Sequence, residues 1–299
     1  MVFVALSNGQ LVIFSREEDS NKDNNNQYWS LTNPKLLTVT ANELNSTSKL
    51  CLVDDEYLWY SYGRNIFVLN IKSLKLEITI MAPTNDLSLQ FSMQSITIDN
   101  MELMSNLSGV WISFKNNHLI QFYDVKRYKL LIELNLFVPV NKMLSFGNEI
   151  IRQHKTACLK ATSLLNVYSS REQCNTLYIG TSAGIILYLN LTSEQLALRE
   201  PINGSSSDWI PQIASLRHGH SGHVKFLHVL EVEEDRDQES EQLVDGNNNG
   251  KGGLETDAEI ETFLISGGAG VDVYGPESEQ SGDFQSNGDN LNYLMLWKM

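Results

Sequence analysis

A short strand, a tight turn and a second strand recur five times in this chain, and that repetition restricts the fold more than any other feature. The copies are "FVALSNGQLVIFS" from Phe3, "LWYSYGRNIFVLN" from Leu58, "VWISFKNNHLIQFYD" from Val110, "LYIGTSAGIILYLNL" from Leu177 and "FLISGGAGVDVYG" from Phe263. Each has an apolar pair, then a small residue near the strand end: Ala5, Ser61, Ser113, Gly180 and Ser266. A polar or glycine turn follows, of a kind that tolerates positive φ, and in most copies an apolar, β-branched or aromatic run comes next. A 3.6-residue period is hard to find anywhere, so the elements are read as strands.

Further strands lie between the hairpins: "KLLTVT", "SKLCLVD", "LKLEITIM", "QSITI", "YKLLIELNL", "ACLKATSLLNV" and "HVKFLHVLEV". Successive small anchors stand 56, 52, 67 and 86 residues apart, beyond the roughly 40–45 residues of a WD40 blade. The surplus is visible as inserts such as "REEDSNKDNNNQ", "MAPTNDLSLQFS", "FGNEIIRQHK" and "LREPINGSSSDW". With the inserts removed, each unit shrinks to about four strands, the size of a propeller blade. The expected fold is an all-β propeller, with a β-sandwich or two stacked small barrels as its rival. Residues 1–299 are read as a single domain carrying flexible inserts at 18–27, 233–259 and 275–290. The second of these is acidic, rich in Gly and Asn, and too poor in apolar side chains to offset the entropy of ordering.

Charge sharpens the division between body and tail. Residues 1–230 hold 19 acidic and 19 basic side chains, whereas residues 231–299 hold 17 acidic and 3 basic ones, the whole of the net −14. Nucleic acid and anionic membrane surfaces are therefore not expected as partners, because both require a basic patch. No apolar run approaches the roughly 18 residues that span a bilayer. The three cysteines, Cys51, Cys158 and Cys174, are too scattered for a disulfide framework, and a reducing, intracellular compartment is expected.

The constellations that carry chemistry elsewhere read here as structural. In "SLRHGHSGHVKFLHVLEV", His218, His220 and His223 fall within six positions and His228 follows. Three such imidazoles are a conceivable zinc set, but alternate residues of a strand share a face, so His223 points away from the other two unless the Ser221-Gly222 turn bends it back. The preferred reading is a blade-entry loop in which a histidine and a glycine tie strands together. The glycines of "ISGGAGVDVYG" match neither phosphate-loop pattern and are read as turn glycines. Ser266 lacks the setting of a nucleophile elbow. Asp54, Asp55 and Glu56 are read as a charged hairpin turn. Trp59, Trp111 and Trp297 are assigned to the core, Trp29 and Trp209 to blade edges. No catalytic, cofactor-binding or metal-binding residue is assigned, and no cofactor is expected.

The ordered series of blade phrases resembles the C-terminal WD40-like domain of the JNK-interacting scaffold proteins of the leucine-zipper, or Sunday-driver, type. "LSNGQLVIFSREED…QYWSLTNPKLLTV" is similar to that family's first preserved blade through Trp29, Leu31, Asn33, Leu36 and Leu37. The likeness continues through "LWYSYGRNIFVLNIKSLKLE", "VWISFKNNHLIQFYDVKRYKLL", "FVPVNKML", "LYIGTSAGIILYLNL", "LRHGHSGHVKFLHVLE", "FLISGGAGVDVYG" and "YLMLWKM". The resemblance implies a non-catalytic interaction domain of a cytoplasmic scaffold and cargo adaptor serving MAP kinase signalling and vesicle transport. Implied partners are JNK-cascade kinases, kinesin light chain, dynein–dynactin and small GTPases, mostly through regions outside this chain. It also implies a structural role for His218, Gly219 and His220, and a propeller that begins before Met1, so that five hairpins form an incomplete ring. The alternative is the related propeller at the C-terminus of a Rho guanine-nucleotide exchange factor.

Overall fold

The computed structural model describes residues 1–6, 8–18, 27–38, 47–82, 97–170, 172–197, 211–233, 260–274 and 291–299. Trp209 and, apart from residues 18, 27 and 233, the three expected flexible inserts lie outside these.

Five main antiparallel sheets follow one another along the chain. The first joins β1 (Val2–Ala5), β2 (Gln10–Phe14) and β5 (Lys35–Thr38), with a ribbon of β3 (Arg16–Glu18) and β4 (Gln27–Trp29) inserted between β2 and β5. The second is β6 (Thr47–Val53), β7 (Tyr57–Tyr62), β8 (Asn65–Asn70) and β9 (Lys75–Met81). The third is β10 (Ile98–Met104), β11 (Gly109–Phe114), β12 (Leu119–Asp124) and β13 (Lys129–Asn135). Helices α1 (Phe137–Leu144) and α2 (Glu149–Ala157) lead to the fourth sheet: β14 (Ala161–Ser169), β15 (Cys174–Thr181), β16 (Ile186–Leu191) and, after α3 (Ser193–Ala197), β17 (Ala214–Ser215). Beyond β18 (His218–Gly219) lies the fifth sheet, β19 (Val224–Glu233), β20 (Ile260–Ala269) and β22 (Asn292–Lys298), while β21 (Asp272–Val273) pairs with β18. First strands meet across the seams, β6 with β10, β10 with β14 and β14 with β19. Among the described residues the sheets do not close into a ring. The propeller expectation is thus met, and so is its incompleteness.

The small anchors have a physical cause in the register. The first strand of four sheets bulges near its start: β6 between Thr47 and Leu50, β10 between Ile98 and Asn100, β14 between Ala161 and Ser163, β19 between Val224 and Phe226. A bulge pushes backbone toward its neighbour, so the facing residue must be small. Opposite lie Ser61, Ser113, Gly180 and Gly267. The Ser61 hydroxyl accepts from the Lys49 backbone N–H at 3.3 Å, and that of Ser113 from Asn100 Nδ2 at 3.0 Å. A Cβ on Gly180 would stand 2.3 Å from Ser163 Oγ, and one on Gly267 2.2 Å from the Phe226 ring. The fifth anchor is therefore Gly267 and not Ser266, one residue from its expected place.

Large aromatics seal the middle seams. Trp59 on β7 is 0% exposed and packs with Val110, Ile112 and Phe114 of the third sheet. Trp111 on β11 is likewise 0% exposed and packs with Leu177 and Ile179 of the fourth. Trp297 departs from expectation: it is half-buried on β22, the last strand of its sheet. Trp29 sits on the edge ribbon with the Arg16 guanidinium 5.4 Å from its ring. Asp54 and Asp55 form the expected turn, at φ 51° and 50°.

Helices α1 and α2 depart from the all-strand expectation; "FGNEIIRQHK" reads as an insert because each helix spans only two turns or so. Their signals are local. Val140 and Leu144 bury one stripe of α1, and Asn148 caps α2 by accepting from the Ile150 N–H at 2.8 Å. Of "QSITI", residues 94–96 lie outside the described residues, and β10 begins at its last residue, Ile98.

Candidate functional site

The histidine loop is a knot between the fourth and fifth sheets. His220 is fully buried. Its Nδ1 faces the Gly270 carbonyl at 3.1 Å and its Nε2 the Ser266 hydroxyl at 2.7 Å. A carbonyl can only accept, so Nδ1 carries the proton and the ring, when neutral, accepts from Ser266 through Nε2. Burial lowers the His220 pKa, against the opposing pull of the Gly270 carbonyl. The His220 N–H donates to the Gly184 carbonyl at 2.9 Å, fastening the loop to the turn between β15 and β16. Gly184, at φ +87°, leaves room for this: a Cβ there would stand 1.7 Å from the His220 carbonyl oxygen. Gly268 makes equal room on the other side, since a Cβ on it would fall 2.5 Å from the imidazole. Gly267 and Gly268 are thus close-approach glycines within β20, and among the described glycines of this run only Gly270, at φ +65°, has turn geometry.

Tyr274 extends the knot, donating its hydroxyl toward the carbonyls of His220 and Ala183. Lys155 of α2 donates to that hydroxyl at 3.0 Å and to Asp272 at 3.3 Å, and lies 5.0 Å from the Tyr274 ring. Burial lowers the Lys155 pKa while Asp272 pulls it back up. His218, His223 and His228 are exposed. Among the described residues no group of three or more His, Cys, Asp or Glu side chains is arranged to hold a metal ion. The structure brings His220 and Ser266, both fully buried, together with two carbonyls of the main chain, and these contacts hold strands to one another.

Beside the knot the same seam opens. The cross-strand pairs facing forward are Trp59 with Val68 in the second sheet and Trp111 with Phe122 in the third. In the fourth, the equivalent pair is Tyr178 with Tyr188, ring centroids 6.1 Å apart, and next to it Thr176 pairs with Asn190. These polar and smaller side chains do not fill the space before the fifth sheet. A groove of about 640 Å³ remains, closed on its far wall by Glu231, Thr262 and Met299. Tyr178 donates its hydroxyl to Met299 Sδ at 3.3 Å, and burial, Tyr188 and Glu172 together raise its pKa. Sequence reasoning passed over Tyr178 and Tyr188. The signal was present: at the place where two blades carry tryptophan, the fourth carries tyrosine.

Successive antiparallel sheets of three or four strands, packed through their first strands and left open as a ring, define a β-propeller. The chain belongs to the family described as the LRRK2 beta propeller, whose model matches residues 1–245. Rho guanine nucleotide exchange factor 17 of Mus musculus is 28% identical over 314 residues, covering 100% of this chain and 14% of that protein. JNK-interacting protein 3 of Drosophila melanogaster is 25% identical over 228 residues, covering 76% of this chain and 16% of that protein. C-Jun-amino-terminal kinase-interacting protein 4 of Homo sapiens is 26% identical over 208 residues, covering 69% and 13%. The resemblance to the JNK-interacting proteins is therefore upheld, and the exchange-factor likeness extends further along the chain. The chain spans between 13% and 16% of the length of these relatives.

Proposed function

We propose that this chain is a non-catalytic protein-interaction module of a larger signalling protein. Kinship carries the reading: the chain is related to JNK-interacting proteins over 69–76% of its length and to a Rho exchange factor over all of it. The arrangement around His220 supports it, since the buried polar groups there hold strands together. On the first reading the host is a JNK-pathway scaffold that also links vesicle cargo to kinesin and dynein in the cytoplasm. Its partners are then JNK-cascade kinases, kinesin light chain, dynein–dynactin and small GTPases. The ordered blade phrases and the identity to JNK-interacting proteins 3 and 4 support that host. On the second reading the host is a Rho guanine-nucleotide exchange factor, favoured by the alignment that reaches every sheet, the fifth included. In both, residues 1–299 act as one domain with no catalytic, cofactor or metal site of their own.

The test has two arms. Translating the transcript upstream of Met1 distinguishes the hosts: in-frame coiled-coil heptads support the scaffold, a nucleotide-exchange domain the exchange factor. Purified chain is then titrated with the partners that host implies, and with substrates of common hydrolases. Saturable protein binding without turnover is expected; turnover abolished by a single substitution would overturn the non-catalytic reading.

A further inference from the structure

We infer that the groove between the fourth and fifth sheets is a docking site for a cationic side chain, arginine or lysine, of an extended segment in a partner protein. The inference deepens the interaction reading above and rests on it. Three observations converge. First, the groove lies at a position that two preceding seams fill with a fully buried tryptophan, Trp59 and Trp111, so its openness is a local departure from the repeat. Its volume of about 640 Å³ falls within the roughly 300–1,000 Å³ typical of binding clefts.

Second, the lining is aromatic where it is deepest. Tyr178 and Tyr188 present a tilted pair, interplanar angle 36°, and Tyr168 stands beside them with its hydroxyl held by Gln173 at 3.0 Å. Such faces attract cations through the ring quadrupole. Third, the charged side chains among the described lining residues are both acidic: Glu172 in the turn before β15 and Glu231 on the fifth sheet. None of the described lining residues is Lys, Arg or His. Thr176 and Asn190 already bond one another, Thr176 Oγ1 donating to Asn190 Oδ1 at 3.0 Å, which leaves the Asn190 amide N–H groups for a peptide carbonyl.

Charge decides among occupants. The chain's own long inserts are acidic, residues 231–299 carrying 17 acidic side chains against 3 basic, so the two glutamates repel them. A hydrophobic segment would bury Glu172 and Glu231 without compensation. A basic segment answers both carboxylates, and its backbone carbonyl can accept from the Asn190 amide.

The probe is a fluorescein-labelled ten-residue peptide with three arginines spaced by Gly and Ser, and its counterpart with each arginine replaced by neutral citrulline. Both are titrated against the full chain by fluorescence anisotropy at about 0.15 M salt, where diffuse attraction to exposed acids is screened. The arginine peptide is expected to bind saturably and the citrulline peptide at least about tenfold more weakly. Tyr178→Trp, which restores the side chain of the sealed seams, is expected to abolish binding while leaving the circular-dichroism melt unchanged. Glu172→Gln with Glu231→Gln is expected to weaken it by about three- to tenfold.

Equal binding of the two peptides overturns the proposal. So does arginine binding that survives Tyr178→Trp, which assigns the attraction to the acidic C-terminal quarter alone. No binding at millimolar peptide overturns it too, and leaves the broader interaction reading to its own test.

Discussion

Two hydrogen bonds and the exclusion of water act together on the imidazole of His220. Ser266 can turn its hydroxyl to accept from a protonated ring, so burial is what opposes the charge. With the folded pKa below the ordinary 6.5, the folded protein binds fewer protons than the unfolded one. The stabilisation by His220 is complete above about pH 6.5 and is lost as pH falls from there toward the lowered folded value. Urea midpoints measured from pH 8 to pH 5 should fall across that window, and His220→Ala should flatten the fall. The same substitution should cost about 2–4 kcal/mol at pH 8, a cavity plus two bonds. Gly184→Ala should cost more than about 2 kcal/mol, since φ +87° and a carbonyl at 1.7 Å both exclude a methyl group. The structural role of His220 was legible in "HGHSGH", because a glycine beside a histidine before a strand signals close backbone approach. The neighbour it bonds was not, since Ser266 lies 46 residues away beyond an acidic insert of unpredictable length.

Between elements, the balance of each seam is set by one aromatic pair. Trp111 touches Phe122 at 4.9 Å between centroids and is buried on both flanks, so Trp111→Ala should cost about 3–5 kcal/mol by urea unfolding. Tyr178→Ala should cost less than half as much, because its ring already borders open space. Asn148→Ala removes the cap of α2 and should cost about 1 kcal/mol, with amide exchange quickening first in residues 149–152. Strands were readable from alternation and turn chemistry, as Asp54 and Asp55 show. The helices were not, since a stripe of two buried residues, Val140 and Leu144, falls below what a periodic pattern can reveal. The displaced anchor at Gly267 belongs to the same class of error: a bulge adds a residue to one strand, and register is a property of the pair.

For the whole molecule, the repeat made the propeller legible, but ring closure was not, because it depends on whether the first and last sheets meet. In the fifth sheet Leu294 and Leu296 are 73% and 57% exposed and share a face with Phe226 and Leu230, which earlier sheets turn toward a successor. Isolated chain should therefore self-associate at high concentration, and Leu294→Lys with Leu296→Lys should return it to a monomer in light scattering. The fourth seam carries a different consequence. The fifth sheet is fastened where β14 meets β19 and again at His220, whose neighbours Gly184 and Gly268 lie at one end of the seam. The tyrosine groove opens toward the other end, at Glu231 and Thr262, bridged by the Tyr178–Met299 hydrogen bond. The last sheet is thus pinned at one end of its seam and parted from its neighbour at the other. A side chain docked there, on the inference above, stands between the two sheets as a spacer and sets how far the last one leans, and with it the attitude of every surface that sheet presents.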